Sequence, residues 1–124
     1  MPKVLVVDDE FLLRTMLKDA LEEAGYTVVL AENGQAALAR AKAESPDCIL
    51  LDIMMPGLDG YETCAAFKAD PALAAIPVIL VSATTDLRVI DRAERVGATA
   101  VLPKPVPIEQ LAQTLILALN PPQP

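Results

Sequence analysis

The sequence predicts a parallel α/β domain, and three observations carry that reading. Short β-branched apolar runs alternate with longer segments of helical periodicity along the 124 residues. Runs such as "CILL" and "VILV" are apolar without interruption, as strands buried on both faces require. The polar residues of unusual placement, Asp8, Asp9, Asp52, Ser82 and Lys104, all fall at the carboxyl ends of such runs.

In order, the first strand spans Lys3 to Val7 and runs into three acids, Asp8, Asp9 and Glu10. Leu13, Met16, Leu17, Ala20, Leu21 and Ala24 then follow the i, i+3, i+4, i+7 spacing of a helix face, and Gly25 is placed to end it. The second strand spans Tyr26 to Ala31, and Asn33 is the N-cap of a second helix reaching about Ala43. A third strand covers Asp47 to Leu51, and a third helix follows Asp59 and ends near "ADP". The fourth strand, Val78 to Val81, leads to a helix from about Thr85 to Val96 before Gly97. The fifth strand, Thr99 to Leu102, is followed at once by Pro103, which cannot donate a ladder hydrogen bond and so suits an outermost strand. The last helix begins after Pro107, with Ile108, Leu111, Leu115 and Leu119 on its inner face. "NPPQP" cannot continue it, so residues 1–120 read as one domain and 121–124 as a proline-rich tail or the stub of a linker.

Composition narrows the function. With 53% hydrophobic residues the chain can bury an ordinary core. No apolar stretch approaches the roughly 20 residues that cross a bilayer, which predicts a soluble protein without membrane insertion or a targeting segment. Cys48 and Cys64 form neither a CxxC motif nor a disulfide framework, and that suits a reducing cytoplasm. A net charge of −7 with 3% aromatic residues argues against direct nucleic-acid binding. The absence of histidine excludes a Ser/His/Asp triad, a His-ligated zinc and a histidine general base from this chain. Chemistry here must use carboxylates, hydroxyls and lysine.

In an open parallel sheet the strand carboxyl ends line one edge, and ligands bind where the strand order reverses. For the order 2-1-3-4-5 that crevice lies between strands one and three, which brings Asp8, Asp9 and Asp52 together. Each residue has an ordinary explanation alone. Acids commonly open a helix, Asp52 could cap the turn "DIMMPGLDG", Ser82 could cap the fourth helix, and Lys104 could be a solvated surface lysine. Jointly those explanations need several independent accidents at one end of one sheet. Clustered carboxylates repel one another and demand raised pKa values or a divalent cation. Mg2+ suits such a site because it takes oxygen ligands and keeps waters. The implied chemistry is phosphoryl transfer, with a carboxylate as nucleophile and lysine and hydroxyl groups steadying the transferring charge.

The pair "DD" after strand one, Asp52 in "LLDIMMPGLDG", Ser82 in "VILVSA" and Lys104 in "PKP" together resemble the receiver domain of two-component response regulators. The resemblance covers essentially the whole chain. It implies the flavodoxin-like (βα)5 three-layer sandwich, with Asp52 as phosphoacceptor for a phosphoryl group from a histidine kinase or histidine phosphotransfer protein. It also implies Mg2+, or Mn2+, held by Asp9 and Asp52, by the backbone carbonyl of Met54, and by Asp8 through water. Ser82 and Lys104 would bind the phosphoryl group. The face of the fourth helix, fifth strand and fifth helix would then shift toward a downstream protein target, either in a monomer or in a phosphorylation-promoted dimer. The Lys104–Pro105 bond is cis by the same analogy. Glu10 falls outside the acidic pair and is assigned to the helix start.

The sequence departs from the family pattern at Val101, where many members carry a Tyr or Phe that swings inward, and at Val106, where an aromatic is frequent. Met54 and Thr84 occupy the positions flanking the route of the hydrolytic water, and neither orients water as a carboxylate or amide does. They are candidates for setting a slow phosphoryl loss. The expected protein is a signalling module rather than an enzyme, stand-alone or cut from a longer regulator. The competing class, a Mg2+-dependent phosphohydrolase with an aspartyl nucleophile, needs DxD after strand one where this chain has Asp8-Asp9-Glu10.

Overall fold

The computed structural model describes residues 2–120, so the expectation for 121–124 lies outside the described residues. Strands and helices alternate as β1 Lys3–Val7, α1 Phe11–Glu23, β2 Thr27–Ala31, α2 Gly34–Glu44, β3 Cys48–Asp52, α3 Gly60–Ala69, β4 Val78–Ser82, α4 Leu87–Arg95, β5 Ala100–Pro103 and α5 Ile108–Leu119. The strands form one sheet in the order β2-β1-β3-β4-β5, every pair parallel. This is the doubly wound fold expected, and β1 beside β3 is the point where the order reverses.

Period-two alternation builds two cores from the same strands. Leu5, Val7, Ile49, Leu51 and Leu80 face one layer with Ala37, Ala41, Cys64, Phe67 and Ala93 of α2, α3 and α4. Val4, Val6, Leu50, Ile79 and Val81 face the other with Leu17, Leu21, Leu111 and Leu115 of α1 and α5. β3 and β4 are buried at every position, which explains their uninterrupted apolar runs. At roughly 25 cal/mol per Å2, such burial is the main term favouring the fold.

Caps set the helix ends. The Asn33 side chain accepts the Ala36 N–H, and Asp59 with Glu62 forms a reciprocal capping box at α3. Gly25 and Gly97 lie at φ +100° and +87° just past α1 and α4, where a side chain would be strained.

Several boundaries differ from expectation. α4 starts at Leu87 rather than Thr85, because Asp86 accepts the N–H groups of Arg88 and Val89 and caps it. Tyr26 and Asp47 precede their strands. The Tyr26 N–H closes the turn after α1 on Leu21 O, and the Asp47 carboxylate accepts the Lys3 N–H. At the other end, Asp52, Ser82 and Pro103 are the last residues of their strands rather than the residues after them. Met16 is 58% exposed and Ile108 52% exposed, so neither is on an inner face, and Ala24 is exposed beyond the end of α1. The true stripes are Leu13-Leu17-Leu21 and Leu111-Leu115-Leu119.

α4 is the least embedded helix, with Ala93 its one buried residue and Val89 and Val96 packed beside it. It is also tied to α3 through the Arg92 guanidinium, 4.2 Å from the centroid of the Tyr61 ring.

Candidate functional site

Three loops meet at the carboxyl edge between β1 and β3. Asp8 is 2% exposed and Asp52 3% exposed, whereas Asp9 and Glu10 are exposed. One oxygen from each of Asp8, Asp9 and Asp52 lies within 4.8 Å of the others. Lys104 reaches in from the turn after β5. Its Nζ is 3.1 Å from Asp52 Oδ2, 3.4 Å from Asp8 Oδ2 and 3.7 Å from Glu10 Oε1. The Lys104–Pro105 peptide is cis.

Local structure explains the placement. β1 delivers Asp8, whose N–H pairs with Ala31 O of β2 while its Oδ1 accepts the Glu10 N–H at 2.8 Å. β3 delivers Asp52, and the loop that follows is closed by the Gly60 N–H on Ile53 O at 2.8 Å. The Lys104 N–H donates to Ser82 O at 2.9 Å, which locks the β5 end to the β4 end.

Electrostatics follow from burial. Burial pushes the Asp8 carboxyl above the usual carboxylate range, against the pull of the Glu10 N–H and Lys104. Burial raises Asp52 as well; the Lys104 hydrogen bond opposes that and the Asp8 charge adds to it. For Lys104 burial acts downward, but the hydrogen bond and charge of Asp52, followed by Asp8, outweigh it, so the ammonium is held above its ordinary pKa.

Asp8, Asp9, Asp52 and Lys104 thus come together directly. Ser82 is buried beside them at the end of β4, and its Oγ accepts the Thr84 N–H at 3.2 Å rather than capping α4. Met54 and Thr84 are exposed at the rim, Met54 at 74%. Val101 is half-buried in β5 against the α4-side core. Glu10 occupies the N-cap position of α1 but its side chain does not cap, and its reach to Lys104 was not anticipated from the sequence. Two further residues contribute. Arg14 donates from Nη1 to Asp8 O at 2.6 Å, and Gly60 lets α3 start against the backbone of Asp52. The "DG" of "PGLDG" is the one sequence signal for Gly60; an arginine on an exposed helix start gives none.

Hard oxygen donors at this separation, beside the Lys104 ammonium, fit Mg2+ better than a soft or imidazole-seeking metal. The fold and the site define a doubly wound α/β domain with an acidic, lysine-paired crevice at its topological switch point.

The comparisons with known proteins give the narrower assignment. The model of the response regulator receiver domain matches residues 4–116. Protein PilH of Pseudomonas aeruginosa is 40% identical over 117 residues, spanning 93% of this chain and 95% of PilH. Protein PilG of the same organism is 38% identical over 109 residues, spanning 88% of this chain and 81% of PilG. The structure of Vibrio cholerae chemotaxis protein CheY4 superposes with a TM-score of 0.91 at 35% identity, covering 96% of this chain and 99% of that one. The chain belongs to the response regulator receiver domain family, whose role is phosphoacceptor signalling. The phosphohydrolase alternative is set aside accordingly.

Proposed function

We propose that Asp52 is the phosphoacceptor, with Asp8, Asp9, Ser82 and Lys104 as the supporting site. The observation that carries this is Lys104 Nζ held between Asp52 and Asp8 at 3.1 and 3.4 Å beside the acidic cluster. An Asp52 oxygen attacks the phosphorus of a phosphohistidine, the P–N bond breaks, and the imidazole leaves with the electron pair and takes up a proton. Mg2+ bound through Asp9, Asp52 and the Met54 carbonyl, with Asp8 contributing through water, would screen the negative charge of donor and acceptor. Lys104 neutralises the transferring oxygens as a point charge, and the Ser82 hydroxyl donates to the phosphoryl group.

The output follows from the element that is least anchored. Drawing Ser82 toward the phosphoryl group moves the β4–α4 turn, and α4 has one buried residue to resist that motion. Val101, with no ring to rotate, lines an open groove with Ile90 and Ala93, so Ser82 and α4 carry the switch without an aromatic partner. The chain signals to a protein target, takes its phosphate from a histidine kinase or phosphotransfer protein, and works in the cytoplasm, monomeric or as a phosphorylation-promoted dimer. Among the described residues no helix is long and apolar enough to cross a membrane. Residues 1–120 form the receiver unit. A stand-alone regulator and a receiver followed by an effector domain are the two alternatives, and the length of the native gene product decides between them.

The test is labelling with acetyl phosphate and Mg2+, read by intact mass. Wild type gains one phosphoryl group and Asp52→Ala none. Multiple turnover of a small phosphate ester, or labelling retained by Asp52→Ala, would sink the assignment. Loading with beryllofluoride and Mg2+ before a pull-down then identifies the partner that distinguishes the two states.

A further inference from the structure

The turn carrying Asp8, Asp9 and Glu10 is held from three sides. Two of the constraints belong to the strand and the turn itself, namely the Asp8 N–H on Ala31 O and the Glu10 N–H on Asp8 Oδ1. The third comes from the first turn of α1. Arg14 Nη1 donates to the carbonyl of Asp8 at 2.6 Å, and its guanidinium rests 5.8 Å from the centroid of the Phe11 ring. With three acids nearby, this cation spends its hydrogen bond on a main-chain oxygen.

That oxygen belongs to the peptide plane joining Asp8 to Asp9. Turning that plane about the Asp8 Cα–C bond carries the N and Cα of Asp9 with it and so swings the Asp9 Cα–Cβ bond, because the peptide unit is rigid. Asp8 and Asp52 are held by burial, whereas Asp9 is exposed and packing does not fix its carboxylate. Its position depends on the backbone.

We propose that Arg14 is a positioning residue for divalent-cation binding. By holding the Asp8 carbonyl it fixes the Asp8–Asp9 peptide plane and keeps the Asp9 carboxylate within 4.8 Å of those of Asp8 and Asp52. The inference rests on the reading of this cluster as a cation site. It is separable from a simple charge effect, because the two have opposite signs. A guanidinium near a cation site repels the cation, so if charge were its only influence, removing it would tighten binding. If Arg14 positions Asp9, removing it weakens binding, as loss of a partner that orients a ligand does by about 10- to 100-fold.

The experiment is a Mg2+ titration of uniformly 15N-labelled protein, followed by amide shifts in the β1–α1 and β3–α3 loops, for wild type, Arg14→Gln and Arg14→Lys. The same spectra report whether each variant is folded. The expected result is a Kd raised about tenfold in Arg14→Gln, with Arg14→Lys in between, since an ammonium still donates to the carbonyl. Should the glutamine variant not fold, a rise of about threefold in Arg14→Lys, whose charge is unchanged, carries the same conclusion. Leu17→Val, which loosens α1 without touching Asp8, keeps the wild-type Kd. An unchanged Kd in the Arg14 variants would leave Arg14 a structural residue, and a lower one would make it only a charge; either overturns the proposal. A wild type that binds no Mg2+ overturns the cation-site reading, and this inference with it.

Discussion

Lys104 Nζ stands 3.1 Å from Oδ2 of Asp52, the lysine arriving from the turn after β5 and the aspartate closing β3. One ammonium serves two buried acids, since Asp8 Oδ2 is 3.4 Å away. It does not satisfy them: burial holds both carboxyls above their ordinary range despite the lysine. The site is therefore a place where the fold gives up stability for charge density.

The first prediction follows from that imbalance. A raised carboxyl pKa means that the folded state favours the protonated acid. The associated stability is complete below the unfolded value of about 3.8 and is lost as pH rises through the folded pKa. At neutral pH the wild type therefore bears the full cost of that shift, which an amide does not have. Asp52→Asn should thus be more stable at pH 7 without divalent cations, by about 1 kcal/mol or ~4 °C in Tm, and the difference should close below about pH 4. Adding Mg2+ should raise the Tm of wild type more than that of the variant, because a ligand stabilises the state that binds it. Thermal unfolding at pH 3.5 and 7, with chelator and with Mg2+, measures all four quantities; a variant less stable at pH 7 would contradict the account.

The second prediction concerns Gly60. A Cβ there would sit 2.5 Å from Asp52 O and 2.5 Å from Ile53 Cα, both backbone atoms with no side chain to yield. Gly60→Ala must push α3 away from the end of β3, costing about 1–3 kcal/mol as overpacking does. It should also displace Asp52 and lower the rate of acetyl phosphate labelling. Gly57→Ala makes a useful contrast: it meets nothing within 4 Å, but its φ of +76° gives backbone strain instead of collision. Denaturant unfolding and labelling rate, measured on both, separate collision from strain.

What was legible in the sequence tracks what depends on period and on type. The uninterrupted runs of β3 and β4 announced full burial, and the acids at the ends of β1 and β3 required only the strand order to become neighbours. Boundaries were less legible where capping chemistry competes. Both Thr85 and Asp86 can open α4, and the carboxylate of Asp86 wins by accepting two N–H groups. Met16 and Ile108 fit their helical stripes by spacing, yet both lie at positions the sheet does not reach. Arg14 and the contact of Glu10 with Lys104 could not be read at all, because a long side chain's partner depends on which loop folds beside it.

The third prediction addresses the lifetime of the phosphorylated state. Met54 is exposed at the rim two residues after Asp52, and Thr84 is exposed two residues after Ser82 with its N–H on Ser82 Oγ. A thioether cannot direct a water, and a threonine so placed offers no carboxylate to draw one in. The phosphoryl group on Asp52 should be lost slowly, and Met54→Asn or Thr84→Glu should speed its loss about tenfold, a small part of what general acid–base help can supply. Loss of label after removal of acetyl phosphate gives the rates. Equal rates in all three proteins would reduce both positions to ordinary rim residues.

The last prediction uses the two cysteines, which take no part in the site. Cys48 opens β3 and Cys64 lies on α3, both fully buried, the Cys64 thiol donating to Val96 O at 3.4 Å. Burial pushes Cys48 up to about 12 and Cys64 to about 11, from an ordinary value of 9.0. Above pH 9 the unfolded chain gives up both thiol protons while the folded chain keeps them. The unfolded state then binds fewer protons, so stability must fall as pH rises, by about 1.4 kcal/mol per pH unit for each thiol. Both contribute up to about pH 11, and Cys48 alone from there to about 12. Between pH 8 and 10 the wild type should lose about 3 kcal/mol more than the Cys48→Ala, Cys64→Ala double variant, even though the variant starts lower from the volume it has lost. Urea unfolding of both proteins at pH 8, 9 and 10 gives the slopes, in which tyrosine and lysine titrations cancel. Parallel slopes would mean that the thiols ionise within the folded protein, and rapid alkylation of the native chain at pH 9 would then accompany them.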